Sequence, residues 1–153
     1  MWAATGSRPT APRDLGFDSA YLFGAVCPAL GKAAAIVMPR ANTWAMNLHL
    51  EEISYHVASD SHAIMFMDNA AWHSSKALRV PENLTPLPLP PYSPELNPVE
   101  RVWKYLRSHK ISNRTFKDYI EVLDVCVDAW NDFAADPALI TSLCHVDWAD
   151  SVN

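Results

Sequence analysis

Two carboxylates stand out by their settings. Asp68 directly follows the apolar run Ala63-Ile64-Met65-Phe66-Met67, and Glu100 lies in Asn97-Pro98-Val99-Glu100. In open α/β sheets ligands bind beyond the carboxyl ends of strands, so an acid there is placed to hold a divalent cation. A glutamate in a first helical turn stays ionised beside the positive helix end and projects near the loop before it, where it can complete a cluster with Asp68. Both residues also have ordinary explanations. Asp-Asn is common turn chemistry. Asn97 as N-cap, Pro98 at the first helical position and Glu100 three residues on make a capping box worth about 1 kcal/mol. His73, five residues after Asp68, is placed either to contact a phosphate or orient a carboxylate, or to serve as an ordinary turn histidine.

Other chemistries are poorly served. There is no Gly-rich phosphate loop and no Gly-x-Ser-x-Gly elbow. Cys27, Cys126 and Cys144 are widely spaced and odd in number, which argues against a disulfide framework or a zinc knuckle and fits a reducing cytoplasm. The remaining histidines (His49, His56, His62, His109, His145) show no ligand spacing with them.

The net charge of −5 hides a partition. Residues 1–100 carry −3, residues 101–117 carry +6 with no acid, and residues 118–153 carry −8 with no base. A protein gripping DNA over a long footprint is usually basic throughout. Contact with nucleic acid is therefore expected to be local to residues 101–117, unless that stretch is merely a solvated helix face.

The elements that must position these groups follow from periodicity. The chain has 153 residues, 50% of them hydrophobic, enough for one globular domain over 1–153. No apolar run is long enough to span a bilayer, and the N-terminus lacks the pattern of a secretory signal. Residues 1–19 read as loop with at most a short strand. Tyr21–Val26 and Ala33–Met38 read as buried strands joined by a hairpin turn at Gly31-Lys32. Met46, Leu50, Ile53 and Val57 share one face of a helix over 43–57 capped by Asn42 or Thr43. Ala63–Met67 is a third strand, and the strand–helix–strand spacing predicts that strands two and three run parallel. Seven of the twelve prolines fall between Pro81 and Pro98, leaving Leu84–Leu89 as at most an edge strand. Val99, Val102, Trp103 and Leu106 mark a helix. Phe116, Tyr119, Ile120, Leu123, Val127, Trp130 and Ala134 form the stripe of a longer one, with Thr115 and Asp118 as its capping box. Asp136-Pro137 opens a last short helix.

The segments Asp68-Asn69-Ala70-Ala71-Trp72-His73 and Pro90-Pro91-Tyr92-Ser93-Pro94-Glu95-Leu96-Asn97-Pro98-Val99-Glu100, followed by Val102-Trp103, strongly resemble the catalytic domain of mariner-like transposases, closest to the bacterial insertion-sequence branch. The resemblance implies an α/β, RNase H-like fold, a mixed sheet flanked by helices, and an Asp-Asp-Glu triad. It makes Asp68 the second acid and Glu100 the third, with 31 residues between them. The first acid, which in the family ends a central first strand, has no counterpart. Asp14 and Asp18 are the nearest acids and sit in a predicted loop. The resemblance further implies Mg²⁺ or Mn²⁺ as cofactor, and DNA (transposon ends and target) as substrate and partner. It places Arg101, Lys104, Arg107 and Lys110 as candidates to line the DNA path, with a second copy or a full-length transposase as a further expected partner.

Two metal ions about 4 Å apart need several carboxylates. The expectation is therefore a catalytic-domain fragment without its first strand, inactive alone, whose strands at Tyr21 and Ala63 expose unpaired edges. The alternative is a non-catalytic remnant that touches DNA or pairs with a transposase through its basic segment. A stand-alone nuclease would require a third carboxylate that the sequence does not offer.

Overall fold

The computed structural model describes residues 19–68, 76–112 and 114–148. The first two strands, β1 (Tyr21–Cys27) and β2 (Lys32–Met38), form an antiparallel hairpin in which Tyr21 opposes Met38 and Cys27 opposes Lys32. A 3-10 turn over Pro28–Leu30 and Gly31 at φ 58° close it. Glycine is suited to Gly31, because L side chains rarely adopt that conformation.

The hairpin is covered on both faces. Phe23, Ala25 and Ala34 pack with Met46, Leu50 and Ile53 of α1 (Thr43–His56). Leu22, Val26, Ala33 and Ala35 pack on the opposite side against the cluster built from Val102, Leu106, Trp130, Phe133 and Ile140. Small residues make this possible. A Cβ on Gly24 would lie 2.7 Å from the rings of both Trp103 and Trp130, so its absence leaves the space those indoles fill.

α1 starts where Asn42 accepts a hydrogen bond from the Ala45 amide at 2.9 Å. It lies over a second pair, β3 (Ala63–Met67) and β4 (Leu84–Pro88), which run parallel with Ala63 opposite Leu84 and Met67 opposite Pro88. The helix direction is fixed at both ends. Ser54, near its C-terminus, donates to Asn83 Oδ1 at 2.7 Å, just before β4 begins. Asn47, near its N-terminus, accepts from the Arg79 amide at 2.8 Å. α1 therefore runs antiparallel to β3, and its N-terminus lies at the end from which Asp68 emerges.

The parallel partner of β3 is β4, and β2 stays in the other sheet. The fold is thus mixed α/β with one antiparallel and one parallel pair, instead of the single mixed sheet expected. Among the described residues neither β1 nor β3 has a second strand neighbour. β4 is an edge for a local reason. The Leu89 amide donates to Met67 O at 2.8 Å. The two-residue period then turns Leu87 and Thr85 toward β3 and Pro86 and Pro88 outward, where a missing N–H costs no ladder bond.

The remaining helices are α2 (Val99–Leu106), α3 (Tyr119–Ala134) and α4 (Pro137–Cys144). A π-helical turn over Arg107–Ile111 follows α2. α4 is opened as expected by Asp136, which accepts from the Leu139 amide at 2.9 Å, with Pro137 in its first turn. Two expectations for α3 are corrected. Its cap is Asp118 itself, accepting from Glu121 at 2.9 Å, and Glu121 in turn accepts from the Lys117 amide at 2.6 Å. Its buried face is Ala129, Trp130 and Phe133, while Ile120 and Val127 point to solvent. The helix is rotated because Trp130 enters the gap at Gly24 and Phe133 packs against it at 5.6 Å.

Candidate active site

The apolar run of β3 alternates. Ala63, Met65 and Met67 face α1, so Ile64 and Phe66 face the other way, and Asp68 follows them, exposed, at the strand's C-terminal end. The bond from Leu89 to Met67 O brings the outgoing chain alongside Asp68. From Leu89 the chain passes Pro90, Pro91 and Tyr92, makes a 3-10 turn over Pro94–Leu96, and enters α2.

Glu100 is exposed in the first turn of α2. The capping box expected there does not form. The Asn97 amide, which Glu100 would have to accept, donates to Pro94 O at 3.1 Å, and Asn97 Oδ1 accepts from the Val99 amide at 3.2 Å. Among the described residues the Glu100 carboxylate has no hydrogen bond or ion pair. It lines an open cavity of about 320 Å³ with Pro94, Glu95, Asn97, Arg101 and Lys104.

The basic residues divide. Arg101 lines the cavity, and its Nη1 donates to His145 O at 2.6 Å and Leu143 O at 3.4 Å, closing the C-terminus of α4. Lys110 bonds Asp132 at 2.8 Å, and that hydrogen bond and charge raise its pKa. Lys104 and Arg107 are exposed and form no such bond among the described residues. His73, Asp14 and Asp18 lie outside the described residues. Three of the histidines without ligand spacing have local partners: His109 stacks on Tyr105 at 4.6 Å, His56 meets Glu52 at 3.0 Å, and His62 meets Thr85 at 2.8 Å.

Sequence reasoning missed what ties these elements together. Four residues beyond α4, Trp148 packs edge-on against Phe66 with ring centroids 4.8 Å apart. Arg101 holds the start of the same tail. A strap over 143–148 thus runs from the neighbour of Glu100 to the strand that ends in Asp68. The one signal for it was a tryptophan in an otherwise acidic terminus.

Among the described residues no group of three or more His, Cys, Asp or Glu side chains gathers to hold a metal ion. Asp68 and Glu100 do not by themselves fit a two-metal centre, which requires more oxygen ligands than two side chains give.

A family model described as "DDE superfamily endonuclease" matches residues 1–123, a span that includes both acids. The chain belongs to the DDE superfamily endonucleases. This membership implies DNA binding. A relative, an uncharacterized protein designated y4pE/y4sA from Sinorhizobium fredii (strain NBRC 101917 / NGR234), is 48% identical over 130 residues, spanning 85% of this chain and 96% of the relative. No solved structure matches. The DDE match ends within α3, so the strap lies beyond it. No helix among the described residues is long and apolar enough to cross a membrane.

Proposed function

We propose that this chain is a catalytic-domain polypeptide of a bacterial insertion-sequence DDE transposase, acting in the cytoplasm on transposon and target DNA. Asp68 and Glu100 are its second and third acids. The observation that carries the reading is Glu100: an exposed carboxylate in a first helical turn, with its expected capping partner already bonded to Pro94. A capping box does not account for it. Asp68 at the end of β3 has the placement that strand-end ligand sites use.

A first acid would belong on a strand paired between β1 and β3, which would join the two pairs into one mixed sheet of RNase H-like type. The support is that among the described residues β1 and β3 each lack a second neighbour, and that they share one core under α1. With that strand and a third carboxylate in place, Mg²⁺ or Mn²⁺ has a ligand set. The 153-residue chain alone is expected not to cleave DNA.

The test is a plasmid-nicking assay on the purified chain with Mg²⁺ and with Mn²⁺. No cleavage is expected. Metal-dependent nicking that Asp68→Ala abolishes overturns the claim of inactivity.

A second reading, a non-catalytic module that touches DNA, rests on Lys104, which lines the Glu100 cavity, and on Arg107, exposed three residues further on. It predicts salt-dependent DNA affinity that Lys104→Glu with Arg107→Glu removes.

A further inference from the structure

Tyr92 is the one non-glycine residue at positive φ among the described residues, at 60°. An L-residue there carries a steric penalty that glycine does not. Its side chain is also 100% exposed, the most open of the large apolar residues. No hydrogen bond or ring contact among the described residues explains either the strained backbone or the choice of an aromatic.

The setting is rigid. Pro90 and Pro91 precede Tyr92 and Pro94 follows Ser93, so three of its four nearest neighbours along this crest have a fixed φ. The crest stands on the connection between Leu89, which is bonded beside Asp68, and the turn that delivers Glu100. Lys104 lies in the cavity that begins two residues further on, at Pro94. The backbone that carries the phenol ring is restricted before binding, so only the two side-chain torsions remain to be fixed. Strained conformations of this kind are retained where surrounding structure enforces them for function.

We propose that Tyr92 is a base-stacking residue: its ring packs against an unstacked nucleobase of the DNA strand that enters between Asp68 and Glu100, while Lys104 takes an adjacent phosphate. This rests on the DNA-processing reading above and adds the contact that holds the strand. An aromatic platform accepts any base, so the subsite takes single-stranded or locally opened DNA without base preference.

The test uses the full 153-residue chain and a short single-stranded oligonucleotide carrying 2-aminopurine, at low salt. Wild type should bind and change the probe's emission. Tyr92→Phe should keep both properties. Tyr92→Ala should weaken binding about 5- to 100-fold and abolish the emission change. Tyr92→Gly should unfold at higher temperature than wild type and yet bind as poorly as Tyr92→Ala; a purely structural role would move stability and binding together. Binding that Lys104→Glu weakens but Tyr92→Ala leaves intact overturns the stacking inference alone. No binding by wild type overturns it together with the DNA-binding reading. A change in oligomeric state in Tyr92→Ala, with DNA binding unaltered, assigns the ring to a protein interface and overturns the proposal.

Discussion

The guanidinium of Arg101 donates to the backbone carbonyl of His145 at 2.6 Å, across a sequence separation of 44 residues. Its neighbour Glu100 points into the open cavity. Two adjacent residues at the start of α2 thus line one cavity, and Arg101 also holds the tail that reaches β3. Arg101→Met should lower stability by about 1 kcal/mol, the usual worth of an exposed hydrogen bond with a charged donor. It should also loosen Trp148 from Phe66, read as a red shift in tryptophan emission. An unchanged midpoint and spectrum would mean the strap holds without Arg101.

Glu100→Ala should leave the unfolding free energy within about 0.5 kcal/mol of wild type, as for surface substitutions that break no named interaction. A lost capping box would cost about 1 kcal/mol. Urea titration of the two proteins separates these outcomes, and a loss of the larger size would restore the capping explanation of the residue.

Gly24→Ala should destabilise by about 1–3 kcal/mol, the range for overpacking a filled core. The added methyl would meet Trp103 and Trp130 at 2.7 Å, and both rings are hemmed in by the α2–α4 cluster. The cost should shrink when Trp103→Leu is introduced as well, which a double-mutant cycle measures.

Stability should fall in alkali through Cys144. Its thiol ionises near 9.0 in the unfolded chain, and burial pushes it up to about 11 in the fold, against a smaller opposing pull from Arg101. Between these values the unfolded state holds fewer protons, so stability declines as pH rises and levels off above about 11. Burial shifts Cys126 in the same direction. Urea midpoints from pH 8 upward should decline less steeply in Cys144→Ala than in wild type. Exposed Cys27 should alkylate first.

Much of the element order was legible because local signals agreed. The hairpin turn at Gly31, the Asn42 cap, the apolar run ahead of Asp68 and the Asp136-Pro137 start all act within a few residues of themselves. What failed depends on distant partners. The face α3 buries is chosen by the gap at Gly24, about a hundred residues upstream, and nothing in the helix's own sequence encodes that. The pairing of β3 with β4 in place of β2 is a choice among edges, which periodicity does not rank. In the site, both acids were readable as types in settings. That Arg101 and Lys110 are occupied was not, because carbonyl ends and a helix-borne Asp132 leave no mark beside them in sequence.

The β1–β2 hairpin has one cluster on each face, α1 on one side and α2–α4 on the other. Detaching α1 leaves the hairpin still covered by the other helices, and detaching those leaves it under α1. Its inter-strand amides exchange with solvent only when both coverings are gone. Hydrogen exchange in the hairpin should therefore report global unfolding, while β3–β4 and the helices open separately and earlier.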